Sequence, residues 1–436
     1  MSSTPTQVAG PLGSTVTDWR ERLQAVVETM REMSTHTDPQ EMVRAYGARM
    51  RQLYRNDGFL SLSRRGLKAP YYRITRHARW TGKINPWTEK ERLPLLQGGL
   101  LGELIYGDQP RIIDEIELQP GDPSAPHLEG YRSLMALPNY DGGHALNMTI
   151  RLSHEPAAFD PEILPEHLWT SNLFGRATQN LVLNDELKRA YEIVDRELTR
   201  VAEIQRSLLP KELPKIPGFD LAAHYQTSQW AGGDYYDFFP LPEGRWGILI
   251  ADVSGHGTPA AVMMAITHSI AHAYPGVPDP PGKVLGFVND RLAGHYTTDN
   301  ESFVTAFYGI YDSKTRELTY ACAGHNPPRL KRCVDGSVIS LDGVGGLPLG
   351  ILATGPYPEK TVQFVPGDQV VFYTDGITEA NDPEGHMFGM ERLDEVLENC
   401  YLDAAGLANE VLVALERFTA GQPAADDRTL LIGKVS

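Results

Sequence analysis

The chain has 436 residues, 41% of them apolar, and a formal net charge of −16. That length exceeds one ordinary core and points to two or three domains. The acidic balance argues against a non-specific nucleic-acid surface or an anionic-membrane surface, and an acidic chain that handles phosphate needs positive charge from elsewhere, bound divalent metal being the direct source. Residues 1–16 are small and polar, with no basic stretch leading into an apolar run; they read as a disordered tail rather than a signal peptide. No stretch of 18 apolar residues occurs, so no membrane-spanning helix is expected. Cys322, Cys333 and Cys400 are odd in number and lack CxxC spacing, which predicts reduced thiols and a cytoplasmic chain.

Within 18–56, Trp19, Leu23, Val26, Val27 and Met30 follow helical spacing, and Asp38-Pro39 starts a second helix. Between 57 and 155, "RIIDEIEL" and "HALNMTIRL" read as strands and "LQPGDPSAPHLEGYRS" as a long loop. Helix returns after Pro165 and continues through 181–209. There Leu187, Tyr191, Val194, Leu198 and Val201 form a heptad seam that slips at Gln205. The segment is either a paired connector or an amphipathic helix packed on its own domain. Pro210, Pro214 and Pro217 end it. From 218 onward "RWGILIADV", "SFVTAFYGIYD", "ELTYACAG", "TVQFV" and "QVVFYTDG" are strand-like. Helices are expected at 258–274, at 281–296 and near the end, which predicts an α+β sandwich of two sheets flanked by helices.

Four sites carry acids where chemistry is usual. Asp234 follows Gly232-Gly233, Asp252 ends "WGILIA", Asp375 precedes Gly376, and Asp426-Asp427 precede the last strand. A strand end holds a side chain in place while exposing it, and neighbouring glycine admits close approach of a ligand. Asp beside Gly is also ordinary turn chemistry, so the combination carries more than any one acid. Oxygen ligands alone favour Mg²⁺ or Mn²⁺, and two such ions about 3.5–4 Å apart can clamp a phosphoryl group.

"GGDYYD", "ADVSGHGTPAA", "AGHNPP", "GGLPLGI", "YTDGITEA" and "DDRTLLI" follow one another in order over 216–436. Together they resemble the bacterial PPM (PP2C-like) serine/threonine phosphatases of the SpoIIE and RsbU type. The resemblance implies two antiparallel sheets with a dimetal site at one edge. It implies that Asp252 bridges two Mn²⁺ or Mg²⁺ ions, that the Val253 carbonyl binds one, that Asp375 and Asp426 bind the other, and that Asp234 completes the site. Asp426 is chosen over Asp427 because the family ligand stands three residues before the Thr, here Thr429. Asp237 is expected to be structural, and His256, Gly255, Gly376 and Asp427 are further candidates. The implied reaction is attack of a metal-activated water on phosphoserine or phosphothreonine, without a covalent phosphoenzyme. The wider family's phosphate-holding Arg is absent from "HYQTSQWAGG", as is usual in the bacterial branch.

Bland readings stand beside these. His256 can be a turn histidine or a general acid, and His325 shapes a loop. His268 and His272 have zinc-compatible spacing, but no acid lies between them as in HExxH. His36, His77, His127, His144, His154 and His167 show no cluster. "GGDYY" also begins like a diguanylate cyclase motif, but the following Tyr235 and Tyr236 do not fit it. A catalytically inactive phosphatase fold that binds a partner is the rival of another class. The N-terminal segment ending in "AAFDPEILPEHLWTSNLFGRATQNLVLNDEL" resembles a GAF domain, with a PAS-like or unrelated α/β sensor as alternatives. A bilin-carrying Cys is excluded, since all three cysteines lie beyond residue 320. The predicted organisation is tail 1–16, GAF-like α/β sensor 17–180, connector 181–215 and phosphatase 216–436. The implied substrate is a phosphorylated anti-anti-sigma (STAS-type) protein, and the seam implies a homodimer.

Overall fold

The computed structural model describes residues 19–53, 57–81, 84–297 and 302–436. The predicted tail at 1–16 lies outside them. The chain divides into two compact units, 1–191 and 192–436.

The first unit opens with α1 (Trp19–Thr35) and α2 (Pro39–Leu53). Asp38 caps the second, its Oδ1 accepting from the Glu41 amide at 2.8 Å. The apolar stripe of α1 is not buried: Leu23, Val27 and Met30 are exposed. Strands β1 (Gly58–Ser63), β2 (Tyr71–His77), β3 (Leu95–Gln97), β4 (Arg111–Ile113), β5 (Ser133–Asp141) and β6 (His144–Ser153) pair antiparallel in the order β3-β2-β1-β6-β5-β4. The expected strand "RIIDEIEL" pairs only as far as Ile113; beyond it Ile116 and Leu118 leave the sheet edge and pack against the core. Period-two alternation sends Leu60, Leu62, Tyr72, Ile74, Met148 and Ile150 to one face, where α3 (Gly99–Gly107) covers them with Leu101, Leu104 and Ile105. The loop expected at 118–133 contains one short helix, α4 (Ala125–Leu128). His77 and His127, expected apart, meet with ring centroids 5.9 Å apart. A 43-residue helix, α5 (Leu164–Arg206), ends this unit and begins the next. It starts one residue before Pro165, which therefore stands in the first turn, where its missing N–H leaves no bond unmade.

The second unit contains two five-stranded antiparallel sheets. One has the order β14-β11-β10-β9-β8, from β8 (Tyr235–Pro240), β9 (Arg245–Val253), β10 (Val304–Asp312), β11 (Glu317–Ala323) and β14 (Lys360–Gln363). The other has the order β13-β12-β15-β16-β7, from β7 (Phe219–Gln226), β12 (Arg329–Lys331), β13 (Val338–Ser340), β15 (Gln369–Tyr373) and β16 (Arg428–Val435). Alternation again builds the layers. Val370, Phe372 and Leu431 join Phe307 and Ile250 in the core between the sheets. Their neighbours Val371, Tyr373, Leu430 and Ile432 face outward against Leu393 of α9 (Gly389–Val396) and Leu407, Val411 and Leu415 of α10 (Ala404–Thr419). Helices α6 (Thr258–His272) and α7 (Pro281–His295) pack on the first sheet. The arrangement is the sandwich flanked by helices that the sequence predicts.

One expectation is corrected. Cys333 and Cys400, 67 residues apart, are joined by a disulfide, and only Cys322 is a free, buried thiol. The turn after β12 and the loop before α10 bring the two together, a proximity that spacing alone does not reveal. No described helix is long and apolar enough to cross a membrane.

Candidate active site: acids at the strand ends

The four acids converge at one edge of the second unit. Asp234 enters β8 and is 1% exposed. Asp252 lies near the end of β9, opposite Thr305 of β10. Asp375 follows β15 and opens a single turn, α8 (Asp375–Thr378). Asp426 precedes β16 and is exposed. Glycines allow this approach. A Cβ on Gly233 would stand 2.9 Å from the Val253 carbonyl oxygen, and one on Gly376 would stand 1.9 Å from the Asp427 carbonyl oxygen. Gly376→Ala is therefore expected to destabilise the second unit by about 1–3 kcal/mol, the usual cost of overpacking; thermal unfolding reads it, and an unchanged Tm would contradict the packing described.

Electrostatics follow from this crowding. Burial first, and then the neighbouring Asp427 and Asp375, push the Asp234 carboxyl upward. Asp252 rises further, through burial and then the charges of Asp234, Asp375 and Asp426, and its carboxyl hydrogen bonds to that of Asp234. Asp375 is raised to about 6 by burial, Asp426 and Glu379. Such a group of acids holds either protons or a bound cation.

Two hydroxyls hold Asp234. Thr374 Oγ1 and Thr429 Oγ1 both donate to its Oδ2, at 2.7 and 2.6 Å. Thr374 Oγ1 also accepts from the Thr429 amide at 3.0 Å, which ties the ends of β15 and β16 together. In the sequence Thr429 serves only as a landmark for Asp426, and nothing in the spacing singles out Thr374. A threonine beside each acid in "YTDG" and "DDRT" was the signal available.

The paired acids at 426–427 have different tasks. Asp427 is buried; its Oδ1 accepts from the Ser228 amide at 2.8 Å and its Oδ2 from the Gly233 amide at 2.6 Å. It closes the Ser228–Gly233 loop onto β16. Asp426 instead accepts from the Asp427 amide at 2.8 Å and contributes charge to Asp252 and Asp375. The donor set facing the cluster is thus Asp234, Asp252, Asp375 and Asp426, with the Val253 carbonyl turned toward Gly233. Carboxylate and carbonyl oxygens alone fit a hard divalent cation.

The remaining candidates lie around this cluster. Gly255 and His256 are exposed on the turn after β9, and His256 Nδ1 is 3.1 Å from Gln229 Nε2. His325 is buried; its Nδ1 is 2.8 Å from Thr305 Oγ1, and burial lowers its pKa to about 4. Asp237 turns elsewhere: its Oδ2 accepts from Tyr235 Oη at 2.6 Å and meets His272 Nε2 at 2.7 Å and His268 Nδ1 at 3.6 Å. The acid missing from the histidine pair in sequence is thus supplied across space by β8.

Known proteins resemble the second unit in sequence and fold. Residues 242–436 match the family model of Stage II sporulation protein E (SpoIIE). Phosphoserine phosphatase RsbU of Bacillus subtilis is 29% identical over 214 residues, 49% of this chain and 62% of RsbU. Protein IcfG of Synechocystis is 28% identical over 226 residues, 46% of this chain and 35% of IcfG. The chain thus spans less than two thirds of these relatives. Among solved structures, the SiaA-PP2C domain of Pseudomonas aeruginosa aligns along 100% of its length and 58% of this chain, with a TM-score of 0.50 and 23% identity, a likeness of fold. Residues 242–436 thus match the SpoIIE family model, and the second unit has the fold of a PP2C domain.

Proposed function

We propose that the chain is a metal-dependent protein phosphatase that hydrolyses phosphoserine or phosphothreonine. The observation that supports this most is the convergence of Asp234, Asp252, Asp375 and Asp426 at one edge of the sandwich, where burial and neighbouring acids raise the first three carboxyls. Asp252 and the Val253 carbonyl, with Asp375, Asp426 and Asp234, would hold two Mn²⁺ or Mg²⁺ ions. Bound there, the ions supply positive charge for a phosphoryl group and acidify water. The chain's own residues do the rest. Thr374 and Thr429 fix the Asp234 carboxylate, and Asp427 fixes the loop that carries it. Replacing Thr429 by Val removes one hydrogen bond to Asp234 without changing shape much. Replacing Thr374 by Val removes that to Asp234 and the one from the Thr429 amide. Either change is expected to weaken Mn²⁺ binding about 10- to 100-fold. Calorimetric titration with Mn²⁺ checks this; an affinity equal to the parent's would contradict a positioning role.

RsbU is a phosphoserine phosphatase by name, which supports a serine-phosphorylated protein as substrate, and by resemblance a STAS-type regulator in the cytoplasm. The N-terminal unit would act as sensor, with organisation 17–180, 181–215 and 216–436. Three hydrogen bonds support a route from the helix into the site. Gln205, where the heptad seam slips, donates from Nε2 to Tyr225 Oη at 2.7 Å and to the Gly232 carbonyl at 3.2 Å. Trp230 Nε1 donates to Asp195 Oδ1 at 3.0 Å. A change in the helix would thus reach the loop bearing Asp234. Leu187, Tyr191 and Val194 are each more than half exposed, which supports pairing with a second copy. Gln205→Ala is expected to lower turnover of the full chain about tenfold. Turnover unchanged in a phosphate-release assay would remove this route.

A further inference from the structure

Arg76 is unusual in the first unit. β2 sends Tyr72 and Ile74 into the core, and regular alternation would send residue 76 there too. A bulge intervenes: Leu62 faces Ile74, but Ser61 faces Arg76, so Thr75 is the extra residue. The side chain of Arg76 is thereby turned to the opposite face of the sheet, beneath residues of α2 and α5.

That face carries an ordered row. Arg76 of β2 stands opposite Ser61 of β1, and Ser61 stands opposite Thr149 of β6. A guanidinium and two hydroxyls therefore lie side by side across three strands. Above them are two cavities of about 440 and 480 Å³ that share Val43, Ser61, Arg76, Thr149 and Phe174. Among the described residues, the first has no carboxylate in its lining and also includes the buried Arg151 and the exposed Arg44 and Arg51. The second has only Glu91, which pairs with Arg73 at 3.0 Å.

Arg76 lacks the partner its burial requires. Its Nη2 is sealed from solvent with no hydrogen-bond acceptor among the described residues. Its nearest compensation is the ring of Trp87, 5.2 Å from the guanidinium carbon. Burial alone pushes the group down to about 10. A desolvated cation without an anion is costly and is retained where it serves binding or specificity.

We propose that this cavity binds a small aromatic carboxylate. The carboxylate sits on Arg76 beside the Ser61 and Thr149 hydroxyls, and its flat body lies against Phe174 and Trp87. The Arg76 guanidinium, whose Nη2 has no acceptor among the described residues, suits a carboxylate, and the aromatic lining suits an apolar body. The site lies on the sheet face away from α3, since the other face is filled by Tyr72, Leu101 and Leu104. It is independent of the reaction proposed for the second unit.

The test uses the full chain. Calorimetric titration compares 2-naphthoate with its neutral isostere 2-naphthamide. Naphthoate is expected to bind with one-to-one stoichiometry, roughly 10- to 100-fold tighter than the amide, as a charge-assisted bond allows. Arg76→Met is expected to remove that preference while raising the Tm of the ligand-free chain, because a buried uncompensated charge is replaced by an apolar side chain. Equal affinity for the two probes would overturn the proposal, as would silence from naphthoate at millimolar concentration. A lower Tm for ligand-free Arg76→Met would also overturn it, since the cation would then have its partner within the protein.

Discussion

Asp252→Asn is expected to raise the Tm of the metal-free chain and to abolish its stabilisation by Mn²⁺. In the metal-free state burial and three neighbouring acids oppose ionisation of Asp252. The amide has the same shape and no charge to suppress. Relief of about 1–2 kcal/mol would shift Tm by roughly 2–8 °C for a unit of this size. The same change removes the acid that meets Asp234, Asp375 and Asp426 together, so the gain in Tm that the parent shows with Mn²⁺ should vanish. Turnover should fall by roughly 10³-fold or more, as when a member of a catalytic set is lost. Differential scanning calorimetry with and without Mn²⁺ reads the first two effects. A fall in metal-free Tm, with Mn²⁺ stabilisation intact, would place Asp252 among ordinary structural acids.

The second large effect is on pH. An unfolded aspartate titrates near 3.9. Asp375 in the fold is raised to about 6, and Asp234 and Asp252 are raised as well. Between those limits the metal-free fold holds protons that the unfolded chain has released. The stability these acids contribute is fully present below about pH 4 and is lost as pH rises through the folded values. His325 works the other way: buried neutral, with a pKa lowered to about 4, it costs stability as pH falls below the usual histidine range. The cleaner reading is therefore metal affinity. Mn²⁺ must displace the protons held by the cluster, so its apparent affinity is expected to rise between pH 5.5 and 8, about tenfold per pH unit for each proton released. Titrations in two buffers of different ionisation enthalpy count those protons. An affinity flat with pH, and no proton release, would contradict the crowding of the acids.

The legible part of this protein was the part with strong local chemistry. Acid beside glycine at the ends of β-branched runs marked Asp234, Asp252 and Asp375 before any fold was known. The sandwich followed from strand runs interrupted by helix pairs. What the sequence hid is cooperation across distance. Thr374 and Thr429 bond Asp234 from 140 and 195 residues away. Asp426 and Asp427 are adjacent and chemically alike, and only the path of the Ser228–Gly233 loop assigns them different partners. His268 and His272 lacked an acid in sequence and found Asp237 on a neighbouring strand. Cys333 and Cys400 meet through two unrelated turns. Arg76 would have been assigned to the core face by simple alternation, and a single bulged residue reverses that. Gln205, an interruption of the seam in sequence, is a buried anchor in the fold.

The most direct measurement is phosphate release from a phosphoserine peptide and from p-nitrophenyl phosphate, by the full chain and by residues 181–436, with Mn²⁺ and with EDTA. Turnover that requires Mn²⁺, stops in EDTA and disappears in Asp252→Asn is the expected result. Folded protein of both lengths that binds Mn²⁺ yet releases no phosphate would contradict hydrolysis at this site and leave a phosphatase fold that serves only to bind a partner.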